Sequence, residues 1–266
     1  MAGETMSRQE RVMATVAMEK PDRVPVVPLL CKTAALTLQG LTQGQGNLDI
    51  DLAMGAMLDT FDDYGGWDAL YLDIPDTAAF QTLFWKQPLR FLVPGQDLPE
   101  DQVMQAFEKE VLQVEEYDRI AEEGWDKFYY DEYIYRITDY APGQVPQVMA
   151  DLEAWAGEAV KAWETRGVQS LYGSADPHPF FKLSLARSLL KFTEDLYYRP
   201  EMVERALKPM VEETINMLLE GCKQTGINIT LLVEERASAF FYPPHIFERF
   251  WWPYTVQIVD ALFSEG

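Results

Sequence analysis

The chain has 266 residues, 48% of them hydrophobic, which is enough apolar material for one sizeable core and excludes a disordered or fibrous protein. Its formal charge of −21 repels phosphate backbones and anionic lipids, so neither nucleic acid nor membrane is an expected partner, and the acidity reads first as a solubilising surface. Two cysteines, Cys31 and Cys222, supply neither a disulfide framework nor a CxxC metal site, and no apolar run approaches the ~20 residues that cross a bilayer; a cytoplasmic protein with reduced thiols is expected.

In chain order the first element is a helix. Ser7 followed by Glu10 fits a capping box, in which each side chain satisfies a backbone N–H at the helix start. Val12, Met13, Val16 and Ala17 then recur at helical spacing, and Pro21 is expected to end the helix. Residues 24–30 (VPVVPLL) are apolar and β-branched, as for a strand buried on both faces of a parallel sheet, with the prolines near its ends. Residues 67–74 (WDALYLDI), 168–172 (VQSLY) and 227–233 (INITLLV) share that character and make three further expected strands.

An acidic, aromatic-rich insertion occupies residues 82–146, and its FYYDEYIYRITDY stretch is expected to pair as a hairpin. The clearest helix begins at Pro200, where a first-turn proline is tolerated. It carries Met202, Val203, Ala206, Leu207, Met210, Val211, Ile215, Leu218, Leu219 and Cys222 on one stripe and closes at Gly226. Pro209 is expected to kink it. A last amphipathic helix runs from about His245 to Leu262.

Strands alternating with helices through right-handed crossovers are the grammar of parallel α/β folds, and eight such units close a barrel. With four strands expected, the sequence reads as an α/β fold of the TIM (β/α)8-barrel type that is incomplete in this chain, residues 1–266 forming a single domain.

Four segments carry a family resemblance: RQERVMATVAMEKPDRVPVVP near the start, WDALYLDI, RPEMVERALKPMVEETINMLLEGCKQTGINITLLVEE, and FYPPHIFERFWWPYTVQIVDAL. In this order they resemble the uroporphyrinogen decarboxylase superfamily, which includes cobalamin-dependent methyltransferases and aromatic O-demethylases. The resemblance implies a (β/α)8 barrel with its site at the carboxyl ends of the strands.

On that reading the strand ends deliver Cys31 and Lys32, then Asp73 and Asp76, then Asp176 and His178, then Glu234 and Glu235. Asp73 matches the decarboxylases' aspartate that faces the substrate's pyrrole N–H groups, a role suited to a carboxylate that accepts several N–H bonds. Glu235, or its neighbour Glu234, occupies the family's acidic position after the fourth strand and is a candidate general acid; Asp73 and Glu235 are the expected catalytic pair. Cys31, Lys32, Asp76, Asp176, His178 and Glu234 are the expected substrate-binding groups.

The decarboxylases' arginine-rich segment after the first strand reads Cys-Lys-Thr-Ala-Ala here, and one lysine does not reproduce paired guanidinium forks. The family's tyrosine after the third strand is also missing from PHPFFKLSLA. A corrinoid-linked methyltransferase of the O-demethylase type is therefore the leading expectation. The alternatives are a porphyrinogen decarboxylase, a carboxy-lyase, and a truncated noncatalytic half-barrel that needs a partner. The expected partners are a small-molecule substrate, a corrinoid protein carrying the methylcobamide, and a second copy of the chain. The methyltransferases' zinc comes from a His-x-Cys pair and a later Cys; neither motif occurs here, so no metal ligand is assigned and zinc would need ligands beyond Gly266.

Overall fold

The computed structural model describes residues 4–265. Their internal contacts divide them into two compact units: the first runs to Phe80 and adds Leu92–Gln105 and Gln147–Leu171, and the second comprises Gln81–Phe91, Ala106–Pro146 and the chain from Tyr172 on. The 82–146 segment thus contributes to both. Runs of helices separate a few short strands, and the described strands make two two-stranded sheets.

In the first unit the capping box forms as the sequence predicts: the Ser7 hydroxyl accepts from Glu10 N–H, and the Glu10 carboxylate accepts from Ser7 N–H at 2.7 Å. The helix Arg8–Val16 stops well before Pro21, however. Met18 takes a left-handed conformation (φ 60°), and Glu19 N–H bonds back to the Ala14 carbonyl at 2.7 Å, closing the end locally.

The expected first strand does not form. Residues 24–30 carry no ladder, and Val24, Val26 and Leu29 are 80%, 46% and 62% exposed. Pro25 and Pro28 remove the N–H groups a ladder needs. What remains is one tie, in which Val26 N–H donates to Asp68 Oδ2 and Asp68 N–H donates to the Val26 carbonyl, both at 2.7 Å. The second expected strand is likewise reduced to a single parallel bridge between Leu70 and Ser170, with Leu70 N–H on the Gln169 carbonyl and Leu171 N–H on the Leu70 carbonyl.

Helices supply the core that the missing strands leave to be filled. Leu36, Met54, Met57, Phe61, Trp67, Leu70, Trp163 and Val168 pack together, the Phe61 ring edge-on to both Trp67 and Trp163 with centroids 5.3 and 5.7 Å apart.

The second unit contains the parallel pair that orients the polar residues. Ser174–Pro177 pairs with Thr230–Val233, Asp176 lying opposite Leu232. The third strand thus lies beyond the expected 168–172, and the fourth is the end of the expected 227–233. The helix Pro200–Thr225 packs on Ser174–Pro177, and glycine permits the close approach: a Cβ on Gly221 would collide with the Ser174 side chain. This helix buries most of the predicted stripe, with Met202, Ile215 and Leu219 half-buried, ends at Gly226 in the left-handed conformation (φ 70°), and continues as one element through Pro209.

The FYYDEYIYRITDY stretch is helical, not a hairpin. It forms Trp125–Phe128, a π-helical turn Tyr129–Tyr133, and Ile134–Ile137. Trp125, Phe128, Tyr129 and Tyr133 are fully buried at spacings of a helical face, and the hydroxyls of Tyr129 and Tyr133 donate to the Thr82 and Pro88 carbonyls at 2.7 and 2.9 Å. The last expected helix is two, Pro244–Phe250 and Trp252–Ser264, because Pro253 cannot donate to the Arg249 carbonyl. Among the described residues no helix is long and apolar enough to cross a membrane.

Candidate functional site

The predicted polar residues fall into two sets, one in each unit. In the first unit, Cys31 precedes the helix Lys32–Leu38. Lys32 is almost fully buried, and its Nζ donates to the Asp76 carbonyl at 2.8 Å while its N–H donates to Asp76 Oδ1 at 3.0 Å. Burial holds the Lys32 ammonium below the usual lysine range, and burial followed by the Asp76 charge pushes the Cys31 thiol up. Lys32 and Asp76 are therefore committed to each other, fastening the 73–77 loop to a helix start. Burial also raises the Asp73 carboxyl, against a hydrogen bond from Ser170, and the Asp73 carbonyl accepts from the Trp163 indole at 2.7 Å.

In the second unit Asp176, His178 and Glu234 stand on or just past the parallel pair. Asp176 is fully buried, and its Oδ2 accepts from Lys182 Nζ at 2.6 Å and from Thr214 Oγ1 at 2.7 Å. Its Oδ1 has no hydrogen-bond partner among the described residues. Burial pulls the Lys182 pKa down, with the Asp176 charge acting in the opposite direction. Nearby on the same helix as Thr214, Glu213 accepts the N–H groups of Trp125 and Asp126, and burial raises its pKa.

His178 is fully buried and caps the helix Pro179–Arg187, its Nδ1 accepting Phe180 N–H at 3.1 Å. Its Nε2 lies 3.2 Å from Thr255 Oγ1, and its ring centroid lies 5.5 Å from that of Trp251. Burial, and then the Lys182 charge, drop its pKa to about 3, so the imidazole is neutral.

Glu234 follows the strand Thr230–Val233, with its side chain 10% exposed. Its Oε1 accepts the N–H groups of Arg236 and Ala237 at 2.7 and 3.0 Å, and its Oε2 has no hydrogen-bond partner among the described residues. Burial raises its pKa, outweighing those backbone bonds and the pull of the nearby Trp251 indole. Glu235 is exposed. Past the strand end the Glu234 side chain folds back onto the N–H groups of residues 236 and 237, while Glu235 faces solvent.

Beside these groups stands an aromatic wall. Phe247 stacks on Trp251 at 4.6 Å, and Trp252 lies 6.2 Å from Phe247. A groove of about 310 Å³ in this unit, lined by Leu219, Cys222, Thr230, Val259, Leu262 and Phe263 among others, holds none of the predicted site residues.

Lys182 and Thr214 were not visible as site residues in the sequence. The signal was there for Lys182: a lone lysine in PFFKLSLAR, a helix buried along its whole length, requires a buried anionic partner. Thr214 sits on the apolar stripe of its helix and looks like any small core residue.

The described residues contain no group of three or more His, Cys, Asp or Glu that fits a metal ion, and both ring nitrogens of His178 are already engaged. The residues described do not fit the zinc of the methyltransferases.

The fold has a solved counterpart. A methyltransferase from Methanosarcina mazei superposes with a TM-score of 0.61 over 97% of this chain and 67% of that one, at 14% identity. At this identity the likeness is one of fold: a mixed α/β chain of the kind to which that methyltransferase belongs. No protein-family model and no curated protein matches the sequence.

Proposed function

We propose that this chain is a methyltransferase of the uroporphyrinogen decarboxylase superfamily, with a fold of the (β/α)8-barrel type that the described residues build only in part, transferring a methyl group from a methyl ether to a corrinoid carried by a partner protein. The observation that carries the reading is the fold likeness to the M. mazei methyltransferase across nearly the whole chain. The sequence resemblance and the absence of an arginine-rich segment after residue 30 favour the methyltransferase branch over decarboxylation.

In this reading Glu234, rather than the exposed Glu235, is the proton donor. Burial disfavours the charged form of this carboxyl, and in this reading its proton passes to the ether oxygen as the C–O bond breaks, so that the leaving group departs as the neutral alcohol. The corrinoid, when its carrier protein docks, supplies the methyl acceptor. Trp251 and Phe247 supply a flat apolar face beside the acid.

The test is methyl transfer by the purified chain from aryl methyl ethers to a reduced corrinoid protein, followed by the corrinoid's absorbance, with uroporphyrinogen decarboxylation assayed in parallel. Transfer that falls at least about tenfold in E234Q and persists in E235Q supports the reading. Decarboxylation without methyl transfer overturns it.

A further inference from the structure

The parallel pair in the second unit is used on one edge only. The carbonyls of Ile229 and Val233 accept the N–H groups of Gly173 and His178, each at 2.9 Å. Alternation along the strand therefore turns the N–H and C=O of Thr230 and Leu232 to the opposite edge, where no strand pairs with them among the described residues. Parallel strands are ordinarily covered, yet all of Thr230–Val233 is only half-buried. Nothing within the strand guards that edge, since Thr-Leu-Leu-Val carries no charge and no proline. Residues 24–30 differ, for Pro25 and Pro28 blunt that segment against pairing.

An edge of this kind is complementary to itself. A two-fold axis through Leu231 sets the same strand of a second copy antiparallel, so that Thr230 faces the partner's Leu232 and the two exchange both backbone hydrogen bonds, once on each side of the axis. Directly opposite residues share a face, with Cα atoms about 5.5 Å apart, which lays the partner's Leu232 beside Thr230 at the lip of the 310 Å³ groove. Charge agrees with this register: the chain beyond the partner's Val233 brings the partner's Glu235 toward Lys223, which is exposed and lines the groove with Asn228. A ladder of four residues falls short of the ~1,200 Å² that a stable interface buries, and the groove with its exposed Phe263, contributed by both copies, adds apolar area to it.

We propose that Thr230–Val233 is a docking edge for a second copy of this chain, the two strands pairing antiparallel about a two-fold axis with the partner's Leu232 seated at the groove. The contact joins the parallel pairs of two copies into one sheet, and it stands apart from the methyltransferase reading.

The test is the mass and the amide exchange of the purified chain at micromolar concentration in roughly 0.15 M salt, where the charge of −21 on each copy is screened beyond ~8 Å. Light scattering is expected to give twice the chain mass of 30.5 kDa. Hydrogen exchange is expected to show the Thr230 and Leu232 amides protected in the dimer and open after dilution to monomer, because within one copy both face away from the neighbouring strand. L232K puts on the edge the kind of charge that guards natural edges, and F263S removes a side chain that is 82% exposed within one copy; each is expected to raise the dissociation constant at least about tenfold. F263S keeps the test decisive if L232K does not fold. A chain that stays monomeric overturns the proposal and leaves the edge to a different polypeptide. A dimer in which Thr230 and Leu232 exchange freely, or folded variants that associate like the wild type, overturns it equally.

Discussion

Two buried charge clusters, one in each unit, solve the same electrostatic problem differently. In the first unit Asp68 takes hydrogen bonds from Arg11 at 2.5 Å, from both terminal nitrogens of Arg23 at 2.6 and 2.9 Å, and from Val26 N–H at 2.7 Å, while Asp22 holds Arg11 Nε at 2.6 Å. Burial pushes the Asp68 carboxyl up, yet Arg23, Val26 and Arg11 together bring it below the usual range. In the second unit Glu234 and Asp176 each keep one oxygen without a hydrogen-bond partner, Glu234 is raised, and His178 is neutral. A fully matched cluster clamps the chain; an incompletely matched one holds free energy that a ligand or a proton can release.

The largest expected effect is on the clamp. D68A leaves Arg11 Nη1 and the Val26 N–H without their carboxylate partner, Asp22 still holding Arg11 Nε, and is expected to cost about 3 kcal/mol or more in denaturant unfolding. Because the folded pKa of Asp68 lies below its unfolded value, its contribution is present above the ordinary aspartate range and fades as the pH falls through the folded pKa. A loss under about 1 kcal/mol would erase the contrast between the clusters. Next comes the Asp176 pair: K182M alone is expected to destabilise by about 3 kcal/mol, and the double variant K182M/D176N to recover most of it, as read from a double-mutant cycle.

His178 and Glu234 sharpen the comparison through pH. A histidine held near a pKa of about 3 stabilises the fold above its unfolded pKa of roughly 6.5 and loses that contribution as the pH falls from there toward 3. H178N, which retains an acceptor for Phe180 N–H, is expected to flatten this slope in thermal melts. Glu234 has the opposite sign. Its raised pKa makes its contribution full below the ordinary glutamate range and lost as the pH rises through the folded pKa, so E234Q should match the wild type in acid and become the more stable protein toward neutrality. The smallest effect is expected for E235Q, within about 0.5 kcal/mol of the wild type at any pH, since that side chain faces solvent.

Much of the helical frame was legible in residue order. Ser7 with Glu10, Pro200 at a helix start, Gly226 at its end and the stripe through Cys222 each express a rule that acts within a few residues, and each holds in the structure. The strands were less legible. Residues 24–30 have the composition of a buried strand, but a ladder depends on a partner offering N–H and C=O groups in register, and two prolines withhold the reply. The aromatic run 128–140 is rich in β-forming residues, yet Phe128, Tyr129 and Tyr133 continue a helical spacing from Trp125, and burial of that face decides for helix.

The candidate site divides along the same line. That His178 and Glu234 follow parallel strands was readable from chain direction, whereas Asp176, expected past a strand at 168–172, lies within the strand Ser174–Pro177. Which of Glu234 and Glu235 is desolvated, that Lys182 and Thr214 hold Asp176, and which groups engage the two nitrogens of His178 were decided by helices arriving from elsewhere in the chain. By itself the sequence determined the caps, stops and apolar stripes, since these draw on neighbours along the chain. Only the tertiary structure decided the protonation states, since a charge is set by how much water is removed from it and by which donors replace that water.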